Sequence, residues 1–376
     1  MSRRRRGRGE GSVYRRKDGS WCGILTVGWS PEGKQLRRYI YRSDKTAVLE
    51  ALDKLRADLR SGLPIDSPRM NLADFLARWL EDAVRVRVRS STYRRHQDLV
   101  RLYIAPRLGG VPLGRVTPMH IQNLLADLER GQKSPRLRQM VYATLHAALN
   151  RAVRWNLVAR NPCDAAEKPR APRPEMKTWT VAQVNQFLAA AQQDRLYALY
   201  VLALTTGMRQ GELLGLSWPD MDLKAGTVSV RRQLTQDLQL LEPKTAAARR
   251  LIVLPEVAVA ALRKHRARML AEGHLSGDGN PQHLVFVDTV GHPLRQSNLL
   301  RRSFFPLMKQ AGVPRIRFHD LRHTSATMLL AQGVHPKIVQ ERLGHAQIGM
   351  TLDTYSHVTP SMQQEAAAKL DALFAH

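Results

Sequence analysis

Cysteine is nearly missing from this chain of 376 residues, which carries only Cys22 and Cys163. They fall in stretches assigned below to different domains, so a structural disulfide is not expected and a reducing, cytoplasmic compartment fits. Long apolar runs are missing too. The longest, near 196–204, is far short of the ~20 residues a membrane-spanning helix needs, so no membrane partner is expected. No apolar segment follows the basic residues 1–8, which argues against a secretory signal and for a phosphate-contacting arm. Acidic residues are scarce, 32 against 59 Lys and Arg, giving a net charge of +27. That imbalance points to a polyanionic partner. A Gly-rich phosphate loop, a catalytic pair of carboxylates and a metal-ligand set are also lacking.

What is present is enough to fold. Apolar residues make up 43% of the chain, and at this length two or three domains are expected. The positive charge is spread throughout. Residues 1–66 hold 16 basic and 8 acidic residues, 67–175 hold 20 and 9, and 176–376 hold 23 and 15. A basic tail or membrane-surface helix would concentrate the charge, whereas a long duplex engaged by every domain explains the spread.

The most informative stretch runs from His319 to Tyr355. It contains His-Asp-Leu-Arg-His at 319–323, Leu-Gly-His at 343–345 and Thr-Tyr-Ser-His at 354–357. On a helix, His319, Arg322 and His323 stand at i, i+3 and i+4 and can share one face. Gly333 is a stop signal, and a short helix from Pro336 to Gly344 leaves His345 just beyond its end. Arginine offers a planar fork to two phosphate oxygens, imidazoles shuttle protons near neutral pH, and a phenol can attack phosphorus and later leave. The set suits reversible phosphoryl transfer through a covalent tyrosine. Any one His or Tyr here, taken alone, reads more readily as a structural residue; together, in this order and spacing, they do not. A zinc site on His319 and His323 lacks the Glu of His-Glu-x-x-His and a third ligand, so no metal is expected.

These segments, with Thr205-Thr206-Gly207-Met208-Arg209-Gln210-Gly211-Glu212-Leu213 upstream, resemble the tyrosine recombinases, or phage-type integrases. The resemblance covers roughly residues 70–376. It implies that Arg209 and Arg322 clamp a scissile phosphate, that His345 adds a donor, and that His319 helps take the proton of Tyr355. Tyr355 then becomes 3′-phosphotyrosyl. Lys244, after Pro243 in a turn between two strand patterns, matches the family's catalytic lysine and would protonate the departing 5′ oxygen. Glu212 and His323 would support neighbouring groups. Bond energy kept in the ester means that no cofactor is implied. Type IB topoisomerase-like relaxation shares this chemistry, and a non-catalytic DNA-binding regulator is the alternative outside enzymology. The family also implies double-stranded DNA, a homotetramer on paired sites and DNA-bending accessory proteins as partners.

Taken in order, the chain predicts a multidomain, mainly α protein with small β-sheets. Residues 1–66 read as three strands (12–16, 21–27 and 34–42, with an Asp18-Gly19 hairpin) and a helix over 44–59 capped by Ser43. The third strand is basic, with Leu36, Arg38, Ile40 and Arg42 on one face and Arg37 on the other. It resembles an arm-type DNA-binding domain. After a Gly/Pro linker at 61–70, helices over 72–83, 91–104, 118–128 and 137–155 fill a domain at 67–170 that resembles the family's core-binding module. Arg85, Arg87, Arg89, Arg94 and Arg95 there suit a clamp on duplex backbone. Pro162–Pro174 reads as a second linker, and 176–376 as the α+β catalytic domain. An amphipathic pattern over 361–374 ends it, free to close its own domain or to pack on a neighbouring subunit.

Overall fold

The structure, a computed structural model, describes residues 11–29, 34–60, 70–172, 176–242, 249–275 and 280–344, with a few helical positions between 367 and 374. Lys244, His345 and Tyr355 lie outside these residues, as do the 61–69 linker and the first part of the 361–374 pattern. The chain divides into two compact units, Met1–Arg173 and Pro174–His376.

In the first unit, β1 (Ser12–Arg15), β2 (Trp21–Trp29) and β3 (Gln35–Arg42) form an antiparallel sheet in that order. The first hairpin closes as the Asp-Gly pair requires. Gly19 takes a positive φ of 84°, and the Asp18 carboxylate accepts from the Ser20 backbone N–H at 3.0 Å. Helix α1 (Lys45–Arg60) covers one face of the sheet and buries Val48 and Leu52 against Leu25. Gly23 permits this approach, since a Cβ there would lie 2.7 Å from the Val48 side chain. The cap of α1 corrects the expectation from sequence. Asp44, not Ser43, accepts from the Ala47 N–H, at 2.8 Å, placing a carboxylate on the free amides of the first turn.

The rest of this unit is helical. Helix α2 (Leu72–Arg78), capped by Asn71, runs into a π-helical segment, Trp79–Arg85. Helix α3 (Ser90–Leu99) continues through a second π-helical segment, Val100–Ile104, into α4 (Ala105–Leu108). Helices α5 (Pro118–Arg130) and α6 (Pro135–Arg154) carry the side-chain caps Thr117 and Ser134 and a proline at the start, where a missing N–H costs nothing. Phe75, Leu76, Ile121, Leu145 and Leu149 are fully or almost fully buried among them. The expected linker from Pro162 is partly core. Residues 162–165 form a 3₁₀ turn with Pro162 and Cys163 buried, and the Tyr142 hydroxyl donates to the Cys163 carbonyl at 2.9 Å. Proline punctuates a turn here, and the turn stays packed because its carbonyl has a buried donor.

In the second unit, α7 (Val181–Ala191) starts with a Thr180–Gln183 capping box. Helix α8 (Tyr197–Thr206) is apolar on all sides and correspondingly central, with residues 198–204 buried. It ends at Gly207, whose φ of 64° is left-handed, and α9 (Gln210–Leu214) follows. Strands β4 (Met221–Asp222), β5 (Thr227–Val230), β6 (Gln233–Leu234), β7 (Leu240–Leu241) and β8 (Arg250–Val253) make two small antiparallel pieces, β4-β5-β8 and β6-β7. Helix α10 (Glu256–Ala271) packs on α8. Helix α11 (Gln296–Asn298) passes through a π-helical segment, Leu299–Phe304, into α12 (Phe305–Gln310). Helices α13 (Asp320–Ala331) and α14 (Pro336–Leu343) follow. Trp179, Phe187, Tyr200, Phe304 and Phe318 form the aromatic centre of this core. The Trp179 N–H donates to the Thr324 hydroxyl at 3.1 Å, fastening the start of the unit to α13.

Candidate active site

Gly207 and the two residues after it set the site. Glycine at the end of α8 lets the chain turn through the left-handed region, which places Arg209 just ahead of α9 as its N-cap residue. Three residues on, Glu212 is only 2% exposed. Its carboxylate accepts from the Arg209 backbone N–H at 3.0 Å and from Arg209 Nη1 at 2.7 Å. Arg209 Nη2 lies 3.4 Å from the Gly344 carbonyl at the end of α14. The guanidinium is thus held from two sides, and 37% of its side chain remains exposed. Among the described residues its other N–H groups have no acceptor, and they are the donors available to an incoming oxyanion.

Arg322 reaches the same glycine from α13. Its Nη1 donates to the Gly207 carbonyl at 2.8 Å, and the residue is 2% exposed. A Cβ at Gly207 would come within 2.4 Å of the Leu343 side chain, so α8, α13 and α14 converge on one position that admits no side chain. His319 is the N-cap residue of α13. Its ring meets His323 edge-on with centroids 5.1 Å apart, as the i, i+4 spacing predicts, while Arg322 turns inward. Asp320, which the sequence alone did not single out, pins this turn: its carboxylate accepts from Arg317 N at 2.8 Å and Arg317 Nη2 at 2.7 Å.

Electrostatics keep the imidazoles neutral. His319 is exposed at its edge, yet its pKa is lowered to about 4, first by desolvation of the ring and then by the charges of His323, Arg322 and Arg209. His323 is lowered in the same direction, chiefly by burial. Burial alone would raise the Glu212 carboxyl, but Arg250 and Arg209 outweigh it and hold it below the usual range. The site can therefore offer the part-exposed Arg209 guanidinium to an anion, with the buried Arg322 and a neutral imidazole close by.

Arg250 is a partner that the sequence did not reveal. From the start of β8 it donates through Nη2 to Glu212 at 2.9 Å and through Nε to the Arg342 carbonyl at 2.7 Å. Arg342 in turn donates to the Thr205 and Val253 carbonyls at 2.8 and 3.0 Å. Among the described residues, no group of His, Cys, Asp and Glu could hold a metal ion, and no helix is long and apolar enough to cross a membrane.

Comparison with known proteins decides the family. A model of the phage integrase family matches residues 177–362, and one of the phage integrase N-terminal SAM-like domain matches 71–128. The tyrosine recombinase XerC-like protein of Caldanaerobacter subterraneus subsp. tengcongensis is 30% identical, over 93% of this chain and 95% of its own. The chain belongs to the phage integrase family. It is a tyrosine recombinase, a site-specific enzyme of DNA strand breakage and rejoining. The recombinase also resembles the ICEBs1 integrase of Bacillus subtilis, 24% identical over 96% of this chain and all of that one. In fold it resembles the Tn1549 transposon integrase solved with a circular intermediate DNA, with a TM-score of 0.66 and 24% identity over 80% of this chain and 99% of that one. A lambda integrase dimer bound to a core site matches with a TM-score of 0.59 and 20% identity over 94% and 96%.

The basic residues of the recombinase's first unit lie apart from this cluster in sequence and differ in setting. By the strand register, Arg38 and Arg42 share the α1-facing side of the sheet with Ile40. Arg37 shares the open side with the exposed Tyr39 and Tyr41, and its guanidinium bonds Gln35 Oε1 at 2.7 Å. Arg85 pairs with Glu81 at 2.6 Å and lies 5.8 Å over the Tyr93 ring. Arg87, Arg94 and Arg95 are exposed, and Arg89 is half-buried.

Proposed function

We propose that this recombinase integrates or excises a mobile element through a 3′-phosphotyrosyl intermediate. The observation that carries the site assignment is the meeting of two guanidinium groups from separate elements around Gly207: Arg322 Nη1 donates to the Gly207 carbonyl at 2.8 Å, and Arg209, two residues beyond that glycine, has Nη2 3.4 Å from the Gly344 carbonyl. In the first step the Tyr355 oxygen bonds to the scissile phosphorus as its proton passes to His319. The bond to the 5′ oxygen breaks, and Lys244 protonates that oxygen as it leaves. Arg209, Arg322 and His345 face the non-bridging oxygens, where preorganised donors stabilise the extra negative charge of the pentacoordinate state. Attack by the partner strand's 5′ hydroxyl reverses the chemistry, so neither ATP nor a metal enters the balance.

Duplex DNA is the substrate, as the net charge of +27 and its spread along the chain support. A homotetramer on paired core sites, helped by DNA-bending proteins, gives strand exchange its geometry. A lambda integrase tetramer has been solved on a Holliday junction, with a TM-score of 0.58 to this chain. Domains over 1–66, 67–170 and 176–376 divide the work into arm binding, core binding and chemistry. The arginines at 85, 87, 89, 94 and 95 contact duplex backbone, and those at 37, 38 and 42 serve the arm-binding domain. The test is Tyr355→Phe on a duplex carrying the crossover site, nicked beside the scissile phosphate. The variant binds the duplex but yields no protease-resistant protein–DNA adduct. An adduct from this variant would remove Tyr355 from the chemistry.

A further inference from the structure

Two neighbouring arginines stand at the start of β8, and their settings differ. Arg249 is 57% exposed and pairs with the exposed Glu242, a solvated arrangement worth little. The Arg250 side chain is 7% exposed and faces a carboxylate that is itself buried. A buried guanidinium is costly unless its donors are met. Here Nη2 meets Glu212 at 2.9 Å and Nε meets the Arg342 carbonyl at 2.7 Å. That carbonyl belongs to the last turn of α14, where the partial negative charge of the helix end favours a cation. The same helix end receives Arg209 Nη2 at the Gly344 carbonyl. Three elements distant in sequence, α9, β8 and α14, are therefore joined through one arginine.

We propose that Arg250 is a positioning residue of the recombinase, acting through Glu212 to keep Arg209 available to the scissile phosphate and through the Arg342 carbonyl to fix the end of α14. The proposal rests on the assignment of Arg209 to that phosphate. The charge count gives the reason. Arg209 and Glu212 alone would form a closed neutral pair, and the charge offered to the phosphate would be cancelled within the protein. With Arg250 on the other side, Glu212 is shared. Its Oε2 takes Arg250 and the Arg209 backbone N–H, its Oε1 takes Arg209 Nη1, and the cluster keeps a net positive charge facing outward. Arg250 itself touches neither strand. It sets the field and the geometry of a residue that does.

The experiment is single-turnover cleavage of the nicked duplex by full-length Arg250→Met, Arg250→Lys, Glu212→Gln and the Glu212→Gln/Arg250→Met double variant, with duplex affinity and Tm measured on each. Arg250→Met lowers the cleavage rate constant about 100-fold, the loss typical of one misplaced oxyanion donor, while duplex affinity stays within about threefold because one phosphate contact among many is disturbed. Arg250→Lys restores charge without both bonds and remains at least about tenfold down. In the Glu212→Gln background, adding Arg250→Met costs less than about threefold, because the carboxylate it shares is gone. Cleavage by Arg250→Met or Arg250→Lys at the wild-type rate overturns the proposal, as does a full 100-fold loss on top of Glu212→Gln. If Arg250→Met fails to fold, the lysine variant and the double variant, which leaves no lone buried charge, decide it. Tyr355→Phe and Arg209→Lys are assayed alongside. An adduct from Tyr355→Phe, or a rate within about threefold of wild type from Arg209→Lys, overturns the assignment of the site itself, whereas no adduct from the first and a rate about 100-fold down in the second mean that the role of Arg250 is decided by its own variants.

Discussion

Replacing Arg209 by lysine isolates what the guanidinium does beyond carrying charge. The side chain is held by Glu212 Oε1 at 2.7 Å through one nitrogen and faces the Gly344 carbonyl at 3.4 Å through another. A single ammonium nitrogen can meet the buried Glu212 but cannot also span to Gly344 and present a fork to two phosphate oxygens. Glu212 keeps a positive partner and still has Arg250 at 2.9 Å, so the fold is preserved and Tm falls by only a few degrees. The loss falls on the transition state. One preorganised donor is worth about 100- to 1,000-fold in rate, or about 2.7–4 kcal/mol. Because the lysine charge survives, Arg209→Lys is expected near the lower figure, about 100-fold. Duplex affinity changes by less than about tenfold, since many other phosphates are engaged. Single-turnover cleavage at saturating protein, with adduct resolved on a denaturing gel, measures the rate directly. A rate within about threefold of wild type would refute the clamp.

Two further outcomes follow from other parts of the molecule. His265 on α10 is 3% exposed. Arg268 Nη2 stands 2.8 Å from its Nδ1, which must accept, so its Nε2 donates to the Val285 carbonyl at 2.6 Å. Burial, with the nearby arginines, lowers its pKa to about 4. Below pH 6.5 the unfolded chain takes up a proton that the folded chain refuses, so stability is fully present at neutral pH and falls on acidification, by about 3 kcal/mol once pH reaches 4. Urea unfolding at pH 7 and 4.5 checks this: wild type loses about 2–3 kcal/mol more than His265→Gln, and parallel losses would show that the imidazole is not the sensor. Removing residues 1–66 leaves cleavage of a short core-site duplex largely intact but lowers recombination on long substrates much further, because a tether that supplies an effective concentration near ~1 mM is gone. Equal losses in the two assays would make this segment part of the core clamp.

Much of this molecule is written locally. The Asp18-Gly19 hairpin, the helix start at Thr180, the glycine stops at 207 and 344 and the buried α8 each depend on residues within a few positions of one another, and all are legible in the sequence. The i, i+4 pair His319 and His323 is another short-range feature, and the two rings do meet. Long-range partners were not legible. Nothing local singles out Arg250, because its burial depends on Glu212, 38 positions away, and on Arg342, 92 positions away. The packed turn at Pro162 reads as a linker for the same reason. Composition marks proline as a breaker, and only the tertiary contact from Tyr142 makes the segment part of a core. The cap of α1 is a competition between the adjacent Ser43 and Asp44 side chains, which the carboxylate wins.

The two cysteines have a practical consequence. Both are free and fully buried, Cys22 beneath the sheet's tyrosines and Cys163 in the packed turn, with its thiol pushed up to about 12 by burial and the Asp164 charge. A thiol shielded from solvent reacts slowly with maleimides and iodoacetamides at neutral pH. One cysteine introduced on an exposed helix, at Glu341 or Arg136 for example, would therefore be modified selectively with the native pair left in place. Fluorescent or spin-labelled forms of the recombinase can be made without first rebuilding either core.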